Sequence, residues 1–118
     1  MRKFEIQLAI GAHGLWKQRL SSAIATGKSE FSPDDIRRDG LCDFGKWLHS
    51  LPESDRASEL WKKVHSLHER FHLESAGVLE AALAGRKEEA AAAMAQGSAY
   101  ALVSMRLTAA MMEWMRES

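Results

Sequence analysis

The chain has little of what marks most protein classes. Its 118 residues include a single cysteine, Cys42, so no internal disulfide can form, and a reducing, cytoplasmic setting fits best. Sixteen basic residues balance sixteen acidic ones, which suggests neither a polyanion nor an acidic membrane as partner. Lys and Arg form no cluster with interleaved aromatics, so nucleic-acid binding has no support. Long apolar runs are missing too. Glu5 and Gln7 interrupt the apolar region of a would-be signal peptide. Arg, Glu and Gln break the Ala-rich C-terminal half well before the length of a membrane span. No segment alternates like a strand with hairpin signals, and there is no fixed-period repeat. What remains is one helical domain, residues 1–118, long enough for a real core.

Helical spacing accounts for most of the chain. From about Phe4 to Ala25, the residues Leu8, Ala12, Leu15, Arg19 and Ile24 form a stripe, widened by Trp16 and Leu20. His13 lies beside it. Gly11 and Gly14 flank that histidine, each at a cost of roughly 1 kcal/mol against alanine, which suggests close packing there. Gly27 stops this helix. Ser32-Pro33-Asp34-Asp35 begins a short helical turn, with Ser32 as N-cap and Pro33 at the first helical position. After Cys42, the residues Phe44, Trp47, Leu48 and Leu51 mark a short helix that Pro52 ends. The next helix is expected to start near Pro52 with Ser54 as its cap and to reach Ala84, before Gly85. Its internal Gly77 suggests a close helix crossing. The last helix is expected to run unbroken from Lys87 to Arg116.

In that last helix Met94, Ser98, Ala101, Met105, Thr108, Met112 and Met115 alternate spacings of four and three, a heptad-like seam. Leu102, Val103, Leu107, Met111 and Trp114 lie outside it. A small bundle has trouble covering Leu102, Val103, Leu107 and Met111, so a second copy of the chain is expected to do so, giving a homodimer. The fold class is all-α: an antiparallel four-helix bundle of three long helices plus the short helix after Cys42.

Three of the five histidines fall within His65-Ser-Leu-His68-Glu-Arg-Phe-His72. At about 100° per residue, Val64, His68, Phe71, His72, Ser75, Leu79 and Ala82 all lie within roughly 80° of Trp61. His68 and His72 therefore share a core-facing stripe, one turn apart. Such a pair can give two ligands to one metal ion, or can be two core histidines satisfied by hydrogen bonds. Spacing alone leaves a His65/His68 pair open as well. His49 falls on the outer side of the short helix. Cys42, near that helix's N-terminus, has its thiolate favoured by backbone N–H groups and the dipole. This suits a metal ligand or a redox thiol; the plain alternative is a buried, inert cysteine.

Taken together, His13, Cys42, His68 and His72 offer three imidazoles and one thiolate. That donor set suits zinc in a closed tetrahedron, with bonds of ~2.0 Å to nitrogen and ~2.3 Å to sulfur. An iron site in a bundle would want inward carboxylates, and Glu69 sits about 80° from the centre of the stripe.

The motifs His13-Gly-Leu-Trp16, Cys42-Asp-Phe-Gly-Lys-Trp47 and His68-Glu-Arg-Phe-His72 resemble, in order and interval, those of the chemoreceptor zinc-binding domain family, CZB. That family carries His-x-x-aromatic, Cys-x-apolar-Gly-x-aromatic and His-x-x-x-His. The resemblance covers about residues 8 to 75 through motifs and the whole chain through helix layout. It implies zinc on His13, Cys42, His68 and His72, with His65 a bystander or a hydrogen-bonding neighbour, in an often dimeric four-helix bundle. It also implies a sensory role in bacterial signalling proteins, chiefly cytoplasmic chemoreceptors and diguanylate cyclases. There the domain regulates an output domain in response to zinc or, in some receptors, to oxidants such as hypochlorous acid acting on the cysteine. These 118 residues hold no such output domain. The expectation is a free-standing member acting on a protein in trans, or a fragment of a longer chain. Two other classes stand beside this reading. A DinB-like three-His zinc-dependent transferase would leave the fourth position open to a thiol or water. A hemerythrin-like di-iron oxygen binder would need more histidines and carboxylates than the chain supplies. With no Glu, Asp or Tyr clearly placed as a general base near the cluster, a non-enzyme is expected.

Overall fold

The structure is a computed structural model that describes residues 2–38 and 42–117. Its elements in chain order are α1 (Arg2–Thr26), α2 (Pro33–Arg37), α3 (Asp43–Ser50), α4 (Glu53–Arg56), α5 (Glu59–Leu83), α6 (Lys87–Met94) and α7 (Ala99–Arg116). The described residues form no strand, and the architecture is the all-α bundle that the periodicity predicts. None of its helices is long and apolar enough to cross a membrane.

α5 is the spine. It packs against α7, α2, α1 and α6 and touches α3 and α4. The whole stripe read from Trp61 through Ala82 is buried on it, including His68 and His72. Residues three and four apart share a helix face, so a single unbroken row of eight positions leaves little choice of register. Trp61 also reaches across the bundle: its Nε1 donates to the Leu48 carbonyl at 3.1 Å and ties the C-terminal end of α3 to α5. α2 is held by the buried Ile36 and by the Arg37 guanidinium, which pairs with Glu80 on α5 and with Asp34 on its own helix.

α1 buries a different face from the one expected. Ile6, Ala9, His13 and Ala23 are buried beside Leu20, the expected stripe's one fully buried member, whereas Leu8, Ala12, Leu15 and Arg19 are exposed. Both rows are spaced like a helix face, so periodicity alone does not separate them. The packing against α5 selects the row that carries His13. Gly11 and Gly14 do not mark a close approach, and neither does Gly77: a Cβ at any of the three would meet nothing within 4 Å.

Two helix boundaries also differ. α5 starts after Ser58, whose Oγ accepts from Trp61 N at 3.1 Å, and not at a cap on Ser54. Ser54 lies inside the single turn of α4. The span from Lys87 to Arg116 is two helices. Gly97 sits at φ +87°, and Ser98 then caps α7 by accepting from Ala101 N at 3.2 Å. A left-handed glycine followed by a capping serine is both a stop and a start signal.

The outer seam of α7 is likewise exchanged. Val103, Leu107, Met111 and Trp114 are buried within the chain, while Met105 and Met112 are exposed. Val103, Leu107 and Met111 therefore need no second copy to cover them, and of the four residues expected to need one only Leu102 stays exposed.

The glycines give a sign test. Gly77→Ala, on an exposed position inside α5 with free space for a methyl, should stabilise the fold by about 0.5–1 kcal/mol. Gly97→Ala, at φ +87°, should destabilise it by about 1 kcal/mol or more. Urea unfolding of both variants beside the parent checks this; equal signs would show that one backbone position is misread.

Candidate metal centre

Four elements bring the site together. α1 presents His13, the N-terminus of α3 presents Cys42, and successive turns of α5 present His68 and His72. α2 supplies no ligand side chain but lends a backbone carbonyl. All three histidines are buried, His68 completely, and Cys42 is half-buried.

Hydrogen bonds orient two of the rings. His13 Nδ1 lies 2.7 Å from the Ala9 carbonyl, and His72 Nδ1 lies 2.8 Å from the Ile36 carbonyl. A carbonyl oxygen only accepts, so both Nδ1 atoms carry the proton, and both Nε2 atoms are left with a lone pair. Those lone pairs converge. His68 Nε2 is 3.1 Å from His13 Nε2 and 3.1 Å from His72 Nε2, and Cys42 Sγ is 3.5 Å from the same atom. One donor atom from each residue lies within 4.8 Å of every other.

Hydrogen bonding cannot account for this packing, because a ring nitrogen has either one proton or one lone pair. A shared tetrahedral cation does. Bonds of ~2.0 and ~2.3 Å at a tetrahedral angle place two nitrogens about 3.3 Å apart, and a nitrogen and a sulfur about 3.5 Å apart. The donor set and its spacing thus fit zinc.

Burial sets the protonation state. It lowers the His13 pKa to about 4, against the opposing Ala9 carbonyl and with added repulsion from His72. It lowers His68 to about 2, again mainly by desolvation and further by the neighbouring His72 and His13. At neutral pH these rings are neutral, which is the form that binds a metal. Phe44 and Phe71 wall the site edge-on, with ring centroids 5.2 Å from His68 and His13 respectively. On the α1–α3 side a cavity of about 550 Å³ opens onto Cys42 and His13, lined further by Trp16, Phe31, Phe44 and Trp47. The Arg19 guanidinium lies over the Trp16 and Phe31 rings at its edge, 4.9 and 5.1 Å from their centroids.

His65, His49 and Glu69 stand apart from this group. Sequence reasoning missed two contributors. The Ile36 carbonyl is one, and no side-chain pattern announces a backbone acceptor. The other is Phe31, whose role in the cavity depends on how the loop before Ser32 folds back on α1.

A helical bundle that gathers three imidazoles and a thiol about one buried point has the donor set of a closed zinc site. The family profile described as chemoreceptor zinc-binding domain, CZB, matches residues 13–79. The match spans more than half of the chain and all three motifs, and the chain belongs to that family. No curated protein and no solved structure gives a significant match.

The depressed histidines fix a pH dependence for the metal-free protein. The unfolded chain takes up protons near pH 6.5 and the folded chain only near 4 for His13, so stability is fully present above about 6.5 and is lost as pH falls through that window. The slope is roughly 1.4 kcal/mol per pH unit for each such histidine. Chemical denaturation of chelator-treated protein between pH 7 and 4.5 should follow it, and His13→Gln should flatten it; a profile unchanged by that substitution would refute the assignment.

Proposed function

We propose that this protein is a zinc-binding sensory domain in which His13, Cys42, His68 and His72 hold one ion and Cys42 is the ligand that lets go. The observation that carries this reading is the spacing of 3.1, 3.1 and 3.5 Å about His68 Nε2. The bound cation would supply a charge that clamps three helices and lowers the pKa of the thiol.

The chain's own residues divide the work. The histidines are the fixed part: their rings are buried, and backbone carbonyls orient His13 and His72. Cys42 is the removable part. It is half-buried, sits at the N-cap of an eight-residue helix, and borders the open cavity. It is also the only one of the four open to oxidation at sulfur. With hypochlorous acid the thiolate takes up the hydroxyl group and chloride leaves, giving a sulfenic acid, a poorer ligand. Release of sulfur frees the N-terminal end of α3, while the Trp61 bond to Leu48 keeps the other end docked. α3 then pivots rather than detaches, and a two-position element of that kind is what a switch requires.

The signal would pass to an output domain or a protein in trans, in a cytoplasmic setting and without enzymatic turnover. Against an open catalytic site, Cys42 stands where a fourth ligand would be, and the metal-compatible group contains no Asp or Glu among the described residues. A homodimer remains part of the proposal, on a new basis. Phe4, Leu8 and Leu15 form one exposed apolar row on α1, and Met105 and Met112 another on α7, with Phe4 at 61 % and Met105 at 63 % exposure. Self-association would cover such rows.

Purified protein should hold one zinc per chain. Cys42→Ala and His68→Ala should each weaken binding at least tenfold, and zinc in thousandfold excess over Kd should stabilise the parent by about 4 kcal/mol. Elemental analysis and competition with a chromophoric chelator measure this, and unchanged affinity in both variants would sink the reading. Light scattering tests the dimer separately: Leu8→Asp with Met105→Asp should yield monomer, and a parent already monomeric at high micromolar concentration would remove the dimer.

A further inference from the structure

The two histidines outside the metal centre, His49 and His65, face each other between α3 and α5. Their ring centroids are 5.0 Å apart with the planes crossed at 83°. Inside the centre, His13 and His68 stand 5.0 Å apart at 84°. The outer pair therefore shares the ring spacing and crossing angle of the inner one, without the close Nε2 contact that joins His13 to His68. Edge-on ring packing alone gives such a spacing, and it is also compatible with two imidazoles on one ion, since bonds of ~2.0 Å at a tetrahedral angle put the ring centres roughly 5 Å apart.

The outer pair is built rather than loose. His65 stacks flat on Trp61, 4.8 Å between centroids and 8° between planes. Trp61 is fixed through Nε1 to the Leu48 carbonyl, the residue next to His49, and its ring lies edge-on to His49 at 6.2 Å. Glu69 Oε1 is 3.9 Å from His65 Nδ1, one turn along α5. That separation is longer than a hydrogen bond, but it puts a carboxylate on the Nδ1 side of the ring, where such a group typically orients a ligating imidazole and leaves Nε2 for the ion. His49 is exposed and His65 half-buried, so a cation can reach both from solvent.

We propose that His49 and His65, with Glu69 behind His65, form a second and weaker site for a divalent cation of the zinc, nickel or copper class, which imidazole ligands favour. The site's meaning, resting on the sensory reading above, lies in α3. That helix has Cys42 at its N-cap and His49 in its last turn. A cation on His49 and His65 cross-links α3 to α5 without involving the sulfur. Zinc in excess would then oppose the pivoting of α3 once Cys42 lets go.

The test uses the full chain loaded with one equivalent of zinc and titrated with more Zn²⁺ in a calorimeter. A second, weaker equivalent is expected. It should weaken at least tenfold in His49→Gln and in His65→Gln, and severalfold in Glu69→Gln, while the first equivalent stays unchanged and reports intact folding. No second equivalent in the parent, or one that survives either histidine substitution, overturns the proposal. So does loss of the first equivalent in either histidine variant, because the pair would then not be a separate site. Failure of the sensory reading is read elsewhere, in the response of the first equivalent to Cys42→Ala and His68→Ala.

Discussion

The crowding of three imidazole nitrogens about one buried point is the constraint on which the structure turns. Separations of 3.1 Å between Nε2 atoms exclude charge on neighbouring rings at once, because two imidazolium ions at that range would repel strongly with little water to screen them. Desolvation keeps His13 and His68 neutral. The Ala9 and Ile36 carbonyls supply the direction, by taking the Nδ1 protons of His13 and His72. Neither a chain of hydrogen bonds nor apolar packing explains lone pairs pointed at one another. A cation at its focus would give those lone pairs a common partner, and metal affinity and bundle geometry would then be one quantity seen from two sides.

How much of this was legible in the sequence depends on how many registers each helix offers. On α5 only one row of positions is apolar enough to face a core, and the stripe from Trp61 to Ala82 is buried as read. α1 and α7 are apolar on two sides. There the periodicity describes the helix but not its orientation, and the wrong row was favoured in both. The error on α1 had a consequence at the site. With Leu8 and Leu15 facing inward, His13 would lie beside the core; in the fold, Ile6, Ala9 and Ala23 point inward and carry His13 with them. The gathering of His13, Cys42, His68 and His72 at one point was nonetheless legible through the three motifs that resemble the family's, since spacing alone left a His65/His68 pair open.

The boundaries failed for a different reason. Capping is decided by which hydroxyl wins a given backbone N–H. Ser54 and Ser58 were both eligible, and the competition was settled by Trp61, whose burial and bond to the Leu48 carbonyl place the first turn of α5 at Glu59. Likewise Gly97-Ser98 carries a stop and a start side by side. It was hidden by the alanine-rich run before it, which favours helix wherever it stands. The glycines at 11, 14 and 77 taught the reverse lesson: a residue suited to close approach does not create one, and each faces open space.

α3 is where these strands meet. It is an eight-residue helix, too short to be stable alone, since isolated helices below about twelve residues are marginal in water. Its place is therefore set by what grips it. At the C-terminal end the grip is rigid: Leu48 is fully buried and its carbonyl accepts the Trp61 indole. At the N-terminal end it is chemical: Cys42, half-buried, borders the cavity and lies 3.5 Å from His68 Nε2. Phe44 and Trp47 stack on each other between the two ends, and Trp47 continues to Trp114 on α7. A change at the sulfur thus has a short mechanical route to α7, the helix that bears exposed Met105 and Met112. The rigid end makes the chemical end consequential: were both ends loose, loss of the thiolate would only melt a turn, and were both rigid, it would move nothing.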